Sequence, residues 1–172
     1  MRVGYYAEVD GRIWPAIFDT RGGPVGLRFY GDEPPWPDFG RRIKPGVWHR
    51  RVEREACTRL FYVEAVAYID RYPVELTRVR GDGTVEVSYY PGGYPSGPPG
   101  SRRDLGLSVP PGEFYENRGA GYLGYVQESA LTHVTERTHE LGVEPRDRVW
   151  VPPHNLTLPP LPTPDPDTDA ER

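Results

Sequence analysis

Cysteine is nearly missing from this 172-residue chain, and Cys57 is the single example. One thiol makes no internal disulfide and supplies no Cys-based zinc site, so the sequence predicts a protein of a reducing compartment, located in the cytoplasm. Long hydrophobic runs are missing too. The longest are a few residues, far short of the roughly 20 that span a bilayer, and Met1-Arg2-Val3-Gly4 leads straight into an alternating segment. Neither a signal peptide nor a membrane-spanning helix is expected, and membranes are excluded as partners. Nor is there a large excess of charge of one sign. The net charge of −4 and pI near 5.6 argue against a dominant electrostatic grip on nucleic acid and leave only local patches. Those patches are uneven: residues 1–60 carry a net +3, residues 61–142 a net −4 and residues 143–172 a net −3. What abounds is glycine (20) and proline (21), nearly a quarter of the chain, which excludes a helical bundle or coiled coil.

An internal repeat organises the rest. Tyr6-Ala7-Glu8-Val9-Asp10-Gly11-Arg12-Ile13-Trp14-Pro15-Ala16 runs parallel to Val66-Ala67-Tyr68-Ile69-Asp70-Arg71-Tyr72-Pro73-Val74 once a gap is allowed. Leu27-Arg28-Phe29-Tyr30-Gly31 matches Val87-Ser88-Tyr89-Tyr90-Pro91, Pro45-Gly46-Val47-Trp48 matches Pro111-Gly112-Glu113-Phe114, and Tyr62-Val63-Glu64 matches Tyr125-Val126-Gln127. Four blocks in one order, about 60 residues apart, predict a tandem duplication: a first repeat over 1–64, a second over 65–142, and a Pro-rich acidic tail over 143–172.

Each copy reads as short strands between turn signals. Val3, Tyr5, Ala7 and Val9 alternate with polar neighbours, Asp10-Gly11 signals a hairpin, and Arg12 to Phe18 returns. Val25, Leu27 and Phe29 then face one way, Arg28 and Tyr30 the other. A Pro-rich loop over 32–44, a strand from Gly46 to Val52, a helical turn near Glu53 to Arg59 and a strand from Leu60 to Asp70 serving both copies complete the unit. The second copy repeats this with a longer loop over 91–111. From Tyr125 to Leu141, Val126, Ala130, Val134 and Leu141 fall on one helical face and Gly142 sits at the C-cap position, so a C-terminal α-helix is expected there. Beyond it, seven prolines between Pro152 and Pro166 and the acids Asp165, Asp167, Asp169 and Glu171 predict an extended tail.

The meander, with Trp14-Pro15-Ala16 or Tyr72-Pro73-Val74 on its returning strand and Gly83-Thr84-Val85-Glu86-Val87-Ser88-Tyr89-Tyr90 after it, resembles small SH3-like barrels of the Tudor type, as two copies over about residues 3–127. The arrangement is also similar to small actinobacterial immunity, or antitoxin-like, proteins, in which repeated β modules bind a toxin. The fold these resemblances imply is mainly β: two tandem SH3-like small barrels with one C-terminal helix. They also imply an aromatic cage at the barrel mouth, from Tyr6, Trp14, Phe29 and Tyr30 or from Tyr68, Tyr72, Tyr89 and Tyr90, with Glu8, Asp10 or Asp70 beside it. Core packing is the stronger expectation for Trp14, Phe29 and Tyr89. The outward Tyr6, Tyr30, Tyr68 and Tyr90 are expected to touch a partner.

Catalytic patterns are weak. Gly119-Ala120-Gly121-Tyr122-Leu123-Gly124 matches GxGxxG literally, but the surroundings are an antiparallel meander, and a flexible strand-to-helix connection is the expected reading. His133 and His139, six apart, would lie on different faces of a helix and hold no common metal. Glu136 with His139 has no second such pair, and Cys57 with His49 has no orienting third group. No enzyme, cofactor or metal is therefore expected. The arginine pairs Arg41-Arg42 and Arg102-Arg103, in equivalent loops, with Trp36 interleaved, are candidate partner contacts. Together these features predict a non-catalytic protein-binding module, an immunity or antitoxin-like protein whose partner is a toxin domain. A nucleic-acid or chromatin-associated barrel using the arginines is the alternative.

Overall fold

The computed structural model describes residues 1–70, 72–80, 82–89, 113–116, 121–153 and 156. Three strands, β1 (Gly4–Val9), β2 (Arg12–Asp19) and β3 (Gly22–Tyr30), form the first meander, and β4 (Arg41–Lys44) with β5 (Val47–Val52) adds a hairpin. The 3-10 turn Arg54–Ala56 leads into the long β6 (Cys57–Ile69). Then come β7 (Tyr72–Val79), β8 (Thr84–Tyr89), β9 (Glu113–Glu116) and β10 (Tyr122–Gln127), a second 3-10 turn at Glu128–Ala130, and β11 (Thr132–Glu140). The fold is mainly β. All pairings are antiparallel, along one open path β4-β5-β3-β2-β1-β6-β7-β8-β10-β9, with β11 on β6.

The expected helix over 125–141 is not there: the segment is β10, a single 3-10 turn and β11. Thr132, Thr135 and Thr138 are β-branched and prefer the pleated backbone. In β11 the described burial alternates between half-buried and exposed from Val134 onward, the period of a strand.

The two halves share one wiring plan. Ala7 opposes Trp14 and Ala67 opposes Val74; Ala16 opposes Leu27 and Leu76 opposes Val87, each pair displaced by sixty residues from its counterpart. Both first hairpins turn through a left-handed aspartate, Asp10 at φ 53° and Asp70 at φ 54°. Aspartate tolerates that conformation because its short polar side chain bonds locally. The next turns repeat the pattern with Gly23 at φ 81° and Gly83 at φ 78°. In each half a 3-10 turn precedes the closing strand, and a bulge interrupts that strand's pairing. β6 runs through residues 64 and 65 and closes the first unit on β1 while opening the second on β7.

The registers also correct the alignment. No gap separates the first hairpins, so Trp14 corresponds to Val74, and Pro15 and Pro73 are not equivalent: Pro15 opposes Tyr6, whereas Pro73 opposes Tyr68. A two-residue turn sets each register, and shared prolines have no say in it. Likewise β5 corresponds to β10, because both pair with the third strand of their unit, and β9 corresponds to β4. Phe114 and Tyr125 therefore do not match Trp48 and Tyr62.

A strand has two edges. β11 occupies one edge of β6 from Phe61 to Tyr68, so β1 and β7 lie end to end along the other. Side chains alternate across β6, and the two cores take opposite faces. Leu60 joins Ala7, Val9, Trp14, Val25, Leu27 and Phe39 in the first core; Ala65, Ala67 and Ile69 join Val74, Leu76, Val85 and Val87 in the second. Each core borrows from the other end of the chain, since Val3 packs into the second and Val143 against the first.

Candidate functional site

Opposite residues on paired strands share a face, and the outer face of the first unit follows from register: Tyr6 on β1, Pro15 on β2, then Arg28 on β3 opposite His49 on β5. Tyr6 at its inner end is buried, stacked on Phe61 at 5.6 Å, and its hydroxyl accepts the Val3 N–H at 3.3 Å. Further out the face is open. Ile13 and Ile17, on β2, are 42% and 48% exposed, large apolar side chains left in water on either side of Pro15. Arg78, Arg80 and Asp82, at the end of β7 and the turn after it, line one open cleft of about 730 Å³ with Arg28, Tyr30, Asp32 and the 45–47 turn.

Local bonds hold the cleft walls. The Gly31 N–H donates to the Gly46 carbonyl at 3.0 Å, and Trp48 Nε1–H donates to the Gly31 carbonyl at 3.1 Å. Across the cleft the Asp82 carboxylate accepts the Thr84 N–H at 2.9 Å, and this bond holds its carboxyl below the usual range. Arg80 lies over the Tyr125 ring, 4.4 Å from its centroid. Arg28 is half-buried with its Nε shut from solvent and without a hydrogen-bond partner. At the equivalent place the second unit has Ser88, so this arginine is not repeated.

Of the expected contact residues, Tyr30 lines this cleft. Tyr6 and Tyr68 are buried, at 8% and 9% exposed. Tyr6 stacks on Phe61 of β6, and Tyr68 meets the His133 ring of β11 edge-on. Trp36 is half-buried in a closed aromatic group: Trp14 packs on it at 4.9 Å and on Phe39 at 5.0 Å, with Arg12 over the Trp36 ring at 4.7 Å. With Phe39 fully buried and the rings in mutual contact, Trp14 and Phe29 form core and not an open cage. Arg41 and Arg42 lie on β4, opposite His49 and Trp48. Tyr90, Arg102 and Arg103 fall outside the described residues. Arg28, Arg78 and Arg80 were not singled out as contacts. Alternation turns Arg28 outward, but nothing in the sequence brings the β7–β8 turn opposite it.

A second polar constellation sits on the other face of β6. Glu64 is 1% exposed; its Oε1 accepts the Leu156 N–H at 2.9 Å and its Oε2 lies 3.0 Å from His139 Nε2. Arg137 Nε is 3.5 Å away without hydrogen-bond geometry. The chain beyond β11 straps this region down: the Arg146 N–H donates to the Thr20 carbonyl and the Trp150 N–H to the Thr20 hydroxyl, both at 2.9 Å. Trp150 packs on Tyr62 at 5.3 Å and His139 at 5.6 Å. Burial, aided by Glu75, Tyr5 and Glu64, pushes the Tyr62 phenol up to about 12. With the carboxylate enclosed by protein donors, the group ties strap to sheet.

Cys57 is buried in the first core, and burial pushes its thiol up, the reverse of an activated nucleophile. Tyr122–Gln127, where the GxGxxG pattern requires a helix to begin, is strand. No three His, Cys, Asp or Glu side chains converge on a possible metal position among the described residues. Comparison with protein-family models, curated proteins and solved structures gives no match.

Proposed function

We propose that the chain is a non-catalytic protein-binding module made of two SH3-like units that share β6, acting in the cytoplasm as an immunity or antitoxin-like protein. The observation that carries this reading is the outer face of the first unit, where exposed Ile13 and Ile17 lie on the sheet whose next strand brings Arg28 and Tyr30 to a cleft. Apolar area beside arginine and tyrosine is the composition of protein interfaces. The wiring supports the SH3-like reading: in each half the closing strand, after a 3-10 turn, pairs back onto the opening strand. The Arg28, Arg78 and Arg80 group favours nucleic acid as the second reading, and salt separates the two. Contacts to phosphate weaken by orders of magnitude between 50 and 200 mM salt, whereas an apolar-anchored protein interface persists.

The test is co-expression with a toxin-like domain encoded beside this gene. A complex that survives about 0.5 M salt, and that Ile17→Asp disrupts, supports the proposal. Failure of such a domain to bind, or a complex indifferent to Ile13 and Ile17, refutes it.

A further inference from the structure

Resting on that reading, we propose that the cleft between the units is a carboxylate-recognition site and takes an acidic peptide segment of the partner, with Arg28 as its central donor. Among the described residues four side-chain nitrogens are buried without a hydrogen-bond partner, three of them in guanidinium groups. Arg54 uses its other nitrogens on the Asp19 carbonyl, and Arg137 lies beside Glu64. Arg28 has neither a carboxylate nor a carbonyl among the described residues, yet it opens into the cleft. Arg28 is half-buried and lines the cleft with no described carboxylate paired to it, so a ligand oxyanion there gains a charge-assisted partner.

Arg78 and Arg80 bring two further guanidinium groups to the same cleft. Arg80 is held by the Tyr125 ring with its donors available at the rim. The acids that line the same space decide between ligands. Asp32 and Asp82 accept the N–H donors that a peptide carries between its carboxylates and that a phosphate backbone lacks. About 730 Å³ suits a short segment more than a duplex.

The experiment uses the full chain and a fluorescein-labelled eight-residue peptide alternating Glu and Gly, read by anisotropy at 0.15 M salt. Wild type is expected to bind, Arg28→Gln to weaken binding at least tenfold, Arg80→Gln at least threefold, and Arg21→Gln, at a distant exposed turn, to change nothing. Circular dichroism checks that each variant is folded, and Arg80→Gln, at an exposed residue, keeps the test valid should Arg28→Gln unfold. No binding by wild type, or equal binding by folded Arg28→Gln, overturns the proposal. Preference for a 12-base-pair DNA duplex with a steep salt dependence overturns it in favour of nucleic acid. If the peptide fails while a partner still binds through Ile13 and Ile17, the carboxylate site is refuted and the protein-binding reading stands.

Discussion

Leu60→Ala probes whether the two units unfold as one. Leu60 is fully buried, lies on the shared strand and belongs to the first core only. Its carbonyl accepts the Leu141 N–H at 2.9 Å, which extends the ladder between β6 and β11. Truncation in such a site costs about 3 kcal/mol, transfer and cavity together. With an unfolding slope of about 2 kcal/mol per molar urea, the midpoint falls by about 1.5 M. All four tryptophans, Trp14, Trp36, Trp48 and Trp150, lie in the first unit or the strap, so their fluorescence reports that half, while far-UV circular dichroism reports both. Because β6, Val3 and Val143 each tie one half to the other, both signals are expected to shift together in a single transition. A fluorescence transition that moves alone, leaving a dichroism step at the wild-type midpoint, would show independent units and refute the reasoning.

Raised phenol ionisation has a defined pH signature. The folded pKa of Tyr62 is above its unfolded value, so the stabilisation from its neutral form is complete below pH 10 and is lost as pH rises toward about 12. Tyr62→Phe should remove about 2 kcal/mol of the alkaline loss, measured as the difference between the two urea-stability curves at pH 8 and 11.5; parallel curves would contradict this. At the strap, His139→Ala should cost about 2 kcal/mol, more than the roughly 1 kcal/mol of Glu64→Gln, because the first strands a buried carboxylate and the second removes it. Urea denaturation at pH 7 gives the order, and the reverse order would sink the claim. Gly124→Ala should destabilise by about 1–2 kcal/mol, since an added Cβ would come within 2.7 Å of the Phe114 ring that covers it from β9. A Gly124→Ala melting temperature equal to wild type would show that β9 is free to give way.

The meander, the Asp10-Gly11 hairpin and the strand common to both copies were legible because their signals are local: period-two alternation and turn chemistry. The block joining Leu27 to Val87 was right for the same reason, as both sit on third strands in one register. Where the reading failed, a non-local fact decided. Val126, Ala130, Val134 and Leu141 satisfy a helical spacing as well as a strand broken by a 3-10 turn. The clue available was the expected repeat, under which a turn like Arg54–Ala56 before β6 implies one at Glu128–Ala130 before β11. Tyr6 and Tyr68 alternate outward from their meanders, but Phe61 and His133, distant in sequence, lie against them. The cleft was invisible for the same reason, because Arg28 and Arg80, 52 residues apart, line one space that no local pattern announces.

Hydrogen exchange of the full chain with and without saturating Glu-Gly peptide tests the central claim most directly, since it asks whether both units touch one ligand. The account predicts slowed exchange in three separated segments together, around Tyr30, Gly46 and Arg80, with β11 unchanged. Protection confined to a single unit, or centred on β10 and β11, would contradict it.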